Sequence, residues 1–146
     1  MVRMEKFHLM NQPSDEEISR IVGFLYDHLD QFGDSKDDIR KSINYAFSDE
    51  SGKGGFVIVR YEDDIIISCV VMNNTGMKGY IPENILVYIA THRDYRGKGI
   101  GKQMLRESIN EAEGNIALHV EHDNPALHLY EKTGFTNKYL EMRLQK

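Results

Sequence analysis

Residues 85–101 read ILVYIATHRDYRGKGIG, and this stretch decides the fold. It opens with a short apolar run rich in branched side chains, which is typical of a buried strand and too short for a helix. Three glycines then alternate at Gly97, Gly99 and Gly101, directly before a helical apolar stripe. A second apolar run, Ile116–Val120, follows that stripe. The order strand, helix, strand predicts a right-handed crossover and therefore two parallel neighbouring strands.

Outward from this unit, the chain of 146 residues fits a single domain, residues 1–146, of the layered α/β or α+β class with a mixed sheet. A strand, two helices and a hairpin are predicted before it, and a short helix and a last strand after it. These elements are a strand at Phe7–Met10, a helix from the capping residue Ser14 to a stop at Gly33, a helix at Asp37–Phe47, hairpin strands at Phe56–Tyr61 and Ile65–Met72, a helix at Pro125–Thr133 and a strand at Tyr139–Leu144.

The composition excludes several classes of protein. Cys69 is the only cysteine and lies in an apolar run, which indicates a buried small side chain and a reducing compartment. The N-terminal residues lack the apolar core of a signal peptide, and no apolar run approaches the ~20 residues of a membrane span. No basic face of the kind found in nucleic-acid-binding proteins is present. We therefore expect a cytoplasmic protein that binds neither nucleic acid nor a membrane.

Negative charge is concentrated in the first third of the chain. Residues 1–50 hold eleven acidic and six basic side chains, and the whole chain has a formal net charge of −5. An acidic surface attracts a cationic ligand, such as an amine, by long-range steering. The alternative is that these carboxylates form the solvated surface of the two predicted helices. The sequence leaves both interpretations open.

The alternating glycines predict an anion site. Glycines allow successive backbone N–H groups to point into one concavity, and the N-terminus of the following helix adds its positive end. Arg96 and Lys98 would add charge-assisted contacts to a phosphate. The glycine spacing matches neither a Walker loop nor the dinucleotide-binding fingerprint, so a nucleotide-binding structural domain is disfavoured.

A second motif, NPALHLYEKTGF, occupies residues 124–135. Together with RGKGIG at residues 96–101 it resembles the GNAT superfamily of N-acetyltransferases. The resemblance implies an acyl-CoA N-acyltransferase fold, a mixed twisted sheet with two N-terminal helices, a pyrophosphate-binding helix and a short C-terminal helix. It covers the segment from Glu83 to Phe135, whereas Met1–Pro82 resembles the family only in its order of elements.

The resemblance also implies an activity, a transferase reaction that moves an acetyl group from acetyl-CoA to an amine by direct attack, without a metal. The amine would belong to a small molecule or a protein. The backbone amides of Arg96, Gly97, Lys98, Gly99, Ile100, Gly101 and Lys102 would cradle the pyrophosphate of coenzyme A. At Thr91 and Arg93 the chain departs from the family, because many members carry Val and Pro there.

Further roles follow from the same resemblance. Ile89, Ala90 and Thr91 would pair with the pantetheine arm of coenzyme A, and Asn124 would bind that arm from its other side. A backbone N–H near Ile89 would stabilise the thioester oxygen as negative charge develops on it. Tyr130 would protonate the leaving thiolate.

Glu83 is the first candidate for the general base, because it lies thirteen residues before Arg96, the spacing of the base in the protein-lysine-acetylating branch of the family. An ordinary surface carboxylate is the alternative. His119 and Glu121 alternate along the predicted strand and share a face, so either is a further candidate. A metal held by His119 and His122 is disfavoured, because strand residues at that spacing do not converge on one ion.

Two questions stay open at this stage. A catalytically silent acyl-CoA-binding module would keep the loop glycines without needing Tyr130 or a base. The motifs also fit acceptors as different as a polyamine, an aminoglycoside, an amino acid, a protein lysine or a protein N-terminus, because acceptor specificity in such a fold lies in Met1–Pro82. Both a monomer and a homodimer fit the sequence.

Overall fold

The computed structural model describes all residues, Met1–Lys146, as one five-stranded sheet with helices on both faces. The strands are β1 (Val2–Phe7), β2 (Gly55–Glu62), β3 (Ile65–Asn74), β4 (Asn84–Thr91) and β5 (Ile116–Leu118). The helices are α1 (Asp15–His28), α2 (Lys36–Ala46), α3 (Ile100–Glu111) and α4 (Ala126–Thr133). The strands lie in chain order, antiparallel from β1 to β4, and β4 and β5 are parallel. The predicted mixed sheet and the parallel pair are confirmed.

Helices α1 and α2 cover one face of the sheet. The hydroxyl of Ser14 accepts a hydrogen bond from the Glu17 N–H, and Ser35 caps α2 in the same way. Such caps satisfy N–H groups that have no partner inside the helix. The apolar stripe of α1 is buried as predicted, but the helix ends at His28 and not at Gly33. The reason is a 3₁₀ turn at Asp30–Phe32, whose first residue has a φ of +55°.

Helices α3 and α4 cover the opposite face, so the sheet separates two apolar clusters. Cys69 lies in the cluster under α1 and α2 and is fully buried, which confirms the sequence interpretation. Gly134 ends α4 in the left-handed region, with a φ of +111°. No helix of the chain is both long and apolar enough to span a membrane.

Two predicted strands are wrong. The first strand is Val2–Phe7 and not Phe7–Met10; it is an edge strand defined by its pairing with Val57–Glu62, and most of its side chains are not buried. The last strand, Tyr139–Leu144, does not form. Its apolar side chains are 79–89% exposed, because no neighbouring strand pairs with this segment. The strand predicted at Ile116–Val120 ends earlier, at Leu118.

Candidate active site

The parallel strands β4 and β5 separate along their length. They are paired only from Asn84 to Leu86 on β4 and from Ile116 to Leu118 on β5. The remaining five residues of β4, Val87–Thr91, have no neighbour on that side. At ~3.3 Å per residue this open edge is about 16 Å long. It leaves unpaired backbone groups that an extended ligand can bind as an added strand would.

A β-bulge lies where this open edge begins. Val71 of β3 pairs with Tyr88 and Met72 pairs with Leu86, so Val87 is an extra residue on β4. Bulges re-aim side chains and are common beside active sites. Here Val87 and Tyr88 both pack on the α1/α2 side, whereas Leu86 and Ile89 pack on the α3/α4 side.

The loop before α3 presents free backbone donors. None of the seven consecutive N–H groups from Arg96 to Lys102 donates a hydrogen bond within the chain. Gly97 and Gly99 both have a φ of +79°, and Gly99 is the N-cap of α3 without a side-chain cap. The first turn of α3 contains no acidic side chain, unlike the first turns of α1 and α2. Because an uncapped helix N-terminus attracts anions, this loop suits a phosphate group.

The basic side chains of the loop have different surroundings. The Arg96 guanidinium turns back towards α1, where it donates to the His28 carbonyl (2.7 Å) and to the Asp30 carboxylate (3.2 Å). The ammonium group of Lys98 is exposed and lies 5.1 Å from the centroid of the Tyr95 ring. Lys98 is therefore free to contact an anion, whereas Arg96 is engaged in a contact that the sequence did not predict.

Residues of the second motif approach from the α4 side. The side-chain oxygen of Asn124 accepts a hydrogen bond from the Ala126 N–H (2.9 Å), and its amide NH₂ has no partner. Tyr130 is buried and packs edge to face on Phe135, with 5.8 Å between ring centroids. Burial raises the pKa of Tyr130 to about 12, so the phenol stays protonated at neutral pH. Its hydroxyl makes no hydrogen bond within the chain.

Glu83 lies at the start of β4, next to the paired segment. Its carboxylate accepts hydrogen bonds from the N–H groups of Asn115 (2.7 Å) and Gly79 (3.0 Å). These two bonds hold the pKa of the carboxyl below its ordinary value. Gly114 packs so closely that a Cβ there would lie 2.4 Å from a Glu83 oxygen. Glu83 thus joins the loop before β4 to the loop before β5.

The gap between the separating strands β4 and β5 is called the groove from here on. His119 and Glu121 follow the last residue of β5, where this groove opens. Ile116, Leu118 and Val120 all pack against the α3/α4 cluster. By alternation, His119 and Glu121 belong to the opposite side of the chain. Both are exposed, and neither side chain makes a hydrogen bond or an ion pair.

An acidic cavity of about 560 Å³ opens at the end of α1. Its lining includes three acidic side chains and one basic side chain, with Tyr26 beside them: Asp27, Asp30, Asp34 and Arg93. The Tyr88 hydroxyl of β4 donates to the Asp34 carboxylate, which connects the cavity to the strand that borders the groove. Asp30 is paired with Arg93 and Arg96, whereas Asp27 and Asp34 have no cationic partner within 4 Å.

Residues 53–137, more than half of the chain, match the acetyltransferase (GNAT) domain family. The chain belongs to the GNAT acetyltransferase family. Members of this family use acetyl-CoA. The open strand edge and the free amides belong to the residues that the sequence resemblance assigned to coenzyme A, and that assignment stays a prediction.

Solved structures share the GNAT fold at low sequence identity. A predicted acetyltransferase from Clostridium acetobutylicum, solved with acetyl-CoA, is 19% identical with a TM-score of 0.68, covering 98% of this chain and 96% of that one. A ribosomal-protein-alanine N-acetyltransferase from Brucella melitensis biovar Abortus is 16% identical with a TM-score of 0.65, and both chains are covered completely. A transcriptional regulator from Bacillus halodurans is 17% identical with a TM-score of 0.69, also with complete coverage of both chains. No curated protein sequence matches the chain significantly.

Sequence reasoning missed the residues that attach this GNAT core to its N-terminal helices. These are the Asp30 contacts with Arg93 and Arg96 and the bond between Tyr88 and Asp34. The partners are 54–66 residues apart in the chain, so no local pattern predicts them. The one available signal was Arg93, noted as a departure from the family at a position where many members carry proline.

Proposed function

We propose that this GNAT protein transfers an acetyl group from acetyl-CoA to an amine acceptor in a ternary complex. The observation that carries the proposal is the open edge of β4, Val87–Thr91, ending beside seven free backbone N–H groups at residues 96–102. An extended arm with a charged pyrophosphate at one end fits both features. The open edge and the free amides come from separate parts of the chain, and both suit a ligand such as coenzyme A.

Each cofactor contact uses a group that the open edge or the loop presents. Ile89, Ala90 and Thr91 have no β5 partner, and apart from the Thr91 carbonyl, which accepts from Arg96, their backbone groups on that side bind the pantetheine amides. The free NH₂ of Asn124 donates to the arm from the α4 side. The amides from Arg96 to Lys102 hold the pyrophosphate, and Lys98 adds a charge-assisted contact. Acetyl-CoA supplies the thioester when it is bound.

The chemistry needs two proton transfers, which groups on opposite sides of the groove perform. On the α1/α2 side a base removes the proton that the amine loses as its nitrogen bonds to the carbonyl carbon. On the α3/α4 side Tyr130 donates its proton to the sulfur as the carbon–sulfur bond breaks. A backbone N–H near Ile89 stabilises the negative charge on the carbonyl oxygen.

His119 is the better placed of the two main base candidates. It is exposed, unpaired and next to the opening of the groove, whereas both oxygens of Glu83 already accept backbone hydrogen bonds. Histidine is also the side chain that most often acts as a general base. In this proposal Glu83 has a structural role: its hydrogen bonds hold the loop before β4 to the loop before β5.

The base assignment is tested by comparing His119→Gln with Glu83→Gln. We expect His119→Gln to lower kcat/KM about 100-fold, because a general base is typically worth ~10²–10⁴ in rate. Glu83→Gln should lower the unfolding midpoint and keep most of the activity, since it turns one acceptor into an NH₂ donor facing a backbone N–H. If folded Glu83→Gln loses the activity and His119→Gln keeps it, Glu83 is the base.

The acceptor is an amine that arrives as a cation, and the acidic cavity at the end of α1 receives it. Asp27 and Asp34 have no ion-pair partner there, and the only basic side chain of the cavity, Arg93, is paired with Asp30. The Tyr88 hydroxyl donates to Asp34 and so connects the cavity to the strand that borders the groove. The negative charge of Asp27 and Asp34 attracts an ammonium group before it loses a proton to the base.

The experiment is turnover with a panel of amines: polyamines, aminoglycosides, amino acids and peptides with a free N-terminus or lysine. We expect at least one class to yield acetylated amine and free coenzyme A in equal amounts. The second-order rate for that amine should fall as salt rises from 0.1 to 1 M, because the Debye length shrinks from ~10 to ~3 Å. Binding of acetyl-CoA with no turnover for any class would favour the silent acyl-CoA-binding module.

A further inference from the structure

Hydrogen bonds and ion pairs hold the loop between β4 and α3 against the C-terminal end of α1. Arg93 donates to one oxygen of Asp30 (3.0 and 3.2 Å) and to the Asp27 carbonyl, and Arg96 donates to the other oxygen of Asp30 (3.2 Å). Arg96 also binds the carbonyls of His28 (2.7 Å) and Thr91 (3.1 Å). Two arginines of one loop are thereby held by a single carboxylate and by carbonyls at a helix C-terminus, where positive charge is favourable.

The backbone conformation and the charge of Asp30 both support this contact. Its φ of +55° lies in the left-handed region, which residues other than glycine rarely adopt and which clusters at functional positions. Hydrogen bonds from Arg93 and then Arg96 hold the pKa of its carboxyl below the ordinary value, so the ion pairs persist in mild acid. A lone exposed ion pair contributes little to stability, but a bridging carboxylate with fixed arginines forms a network.

Two histidines complete the contact. The rings of His28 and His92 are in contact, with 4.2 Å between centroids and 34° between the ring planes. Burial, with the nearby positive charge of Arg93, lowers the pKa of His28 and so favours its neutral ring. The free Nδ1 of His28 can therefore accept the hydrogen bond from the Arg93 N–H (3.2 Å).

The loop between β4 and α3, which Asp30 holds in place, also carries the free amides. Arg96 is the first of the seven residues with unpaired N–H groups, and its side chain is bound on one side by α1 and on the other by the end of β4. The direction in which the chain enters the Gly97–Gly101 segment is therefore set at Asp30. Amides fixed in advance bind an anion more tightly than amides that must first be ordered.

We propose that Asp30 is a positioning residue for the cofactor: through Arg93 and Arg96 it fixes the loop whose amides bind the pyrophosphate of coenzyme A. This inference rests on the proposed function. Asp30 also lines the acidic cavity, so one carboxylate joins the cofactor loop to the acceptor side. Cofactor and acceptor binding are then coupled through it.

The test is Asp30→Asn, because asparagine tolerates the left-handed backbone while the negative charge and one of the two acceptor oxygens are lost. We expect the Kd for coenzyme A, measured by calorimetry, to rise about five- to tenfold, the low end of couplings between linked sites. The sign is diagnostic, because removing a negative charge should by itself strengthen binding of a polyanion. The matched control is Asp27→Asn, an acid of the same cavity whose side chain makes no bond; its Kd should stay the same or fall.

A double-mutant cycle separates positioning from general destabilisation. Asp30→Asn combined with Arg96→Gln should lose less affinity for coenzyme A than the two single losses added together, because both changes break the shared contact between Asp30 and Arg96. The Kd for S-acetylpantetheine, which lacks the phosphates, should be unchanged in Asp30→Asn when no acceptor is present. Unchanged coenzyme A affinity in folded Asp30→Asn, or an equal loss in Asp27→Asn, overturns the inference. Failure of the wild-type protein to bind coenzyme A contradicts the proposed function instead.

Discussion

Replacing Gly99 with valine should raise the Kd for acetyl-CoA at least about 100-fold. Gly99 has a φ of +79°, so a branched side chain would force the loop out of the left-handed region. The amides of Gly99 and Ile100 would then no longer face one phosphate. Losing two hydrogen bonds to a charged group costs about 3–6 kcal/mol, and 1.4 kcal/mol is a tenfold change in affinity. Titration calorimetry measures the change directly.

Gly79 provides the matched control. It has a φ of +82°, and like Gly99 it has nothing within 4 Å of an added Cβ, but it lies in the loop before β4. Gly79→Val therefore carries the same backbone strain away from the proposed phosphate site. We expect it to bind acetyl-CoA within about twofold of the wild-type affinity, a difference well below one hydrogen bond. Equal affinities in folded Gly99→Val and wild type would show that the phosphates bind elsewhere.

Replacing Tyr130 with phenylalanine should lower kcat about 10²–10⁴-fold, the usual contribution of a general acid. The change removes a hydroxyl that makes no bond in the free protein and keeps the ring that packs on Phe135. The Kd for acetyl-CoA should therefore barely change, because the interaction is made mainly in the transition state. With a pKa raised to about 12, Tyr130 should add no basic limb to the pH–rate profile near neutral pH.

Tyr139→Phe serves as the control, because Tyr139 is 79% exposed in the C-terminal segment. Its kcat should match that of the wild type. A loss of only a few-fold in Tyr130→Phe would reduce Tyr130 to orienting the thioester, with water donating the proton. An unchanged kcat, with chemistry shown to be rate-limiting by single-turnover kinetics, would exclude the acid role.

Local chemistry explains which elements were predictable. The Ser14 cap and the apolar stripes made α1 and α2 predictable, and the turn at Asp63 and Asp64, with φ of +50° and +67°, joins the strands of the predicted hairpin. The crossover from β4 to β5 followed from the order of patterns alone. In each case the forces that form the element act between residues close in the chain.

Elements that depend on distant partners were not predictable in the same way. The edge strand β1 is defined by pairing with β2, and the segment Tyr139–Leu144 has a strand pattern but no partner. Likewise β5 ends at Leu118 because the strands separate there, a property of the pairing and not of the apolar run.

The residues of the candidate site were also predictable only where the sequence signal is local. The glycine loop and the second motif placed the cofactor residues from sequence, because their spacing is local. The surroundings of Glu83 were not visible, since its two donors, Gly79 and Asn115, come from different loops. The Asp30 contact is likewise a product of the fold, because its arginines lie more than sixty residues away.

The most direct test of the central claim is a titration of the ¹⁵N-labelled protein with acetyl-CoA, followed by amide NMR. The claim is that the open edge of β4 and the free amides before α3 form one coenzyme A site. We expect the largest amide shifts at residues 97–102 and 87–91, saturating together with a single Kd. Shifts confined to the acidic cavity at Asp27 and Asp34, or no saturable shifts at either predicted segment, would contradict it.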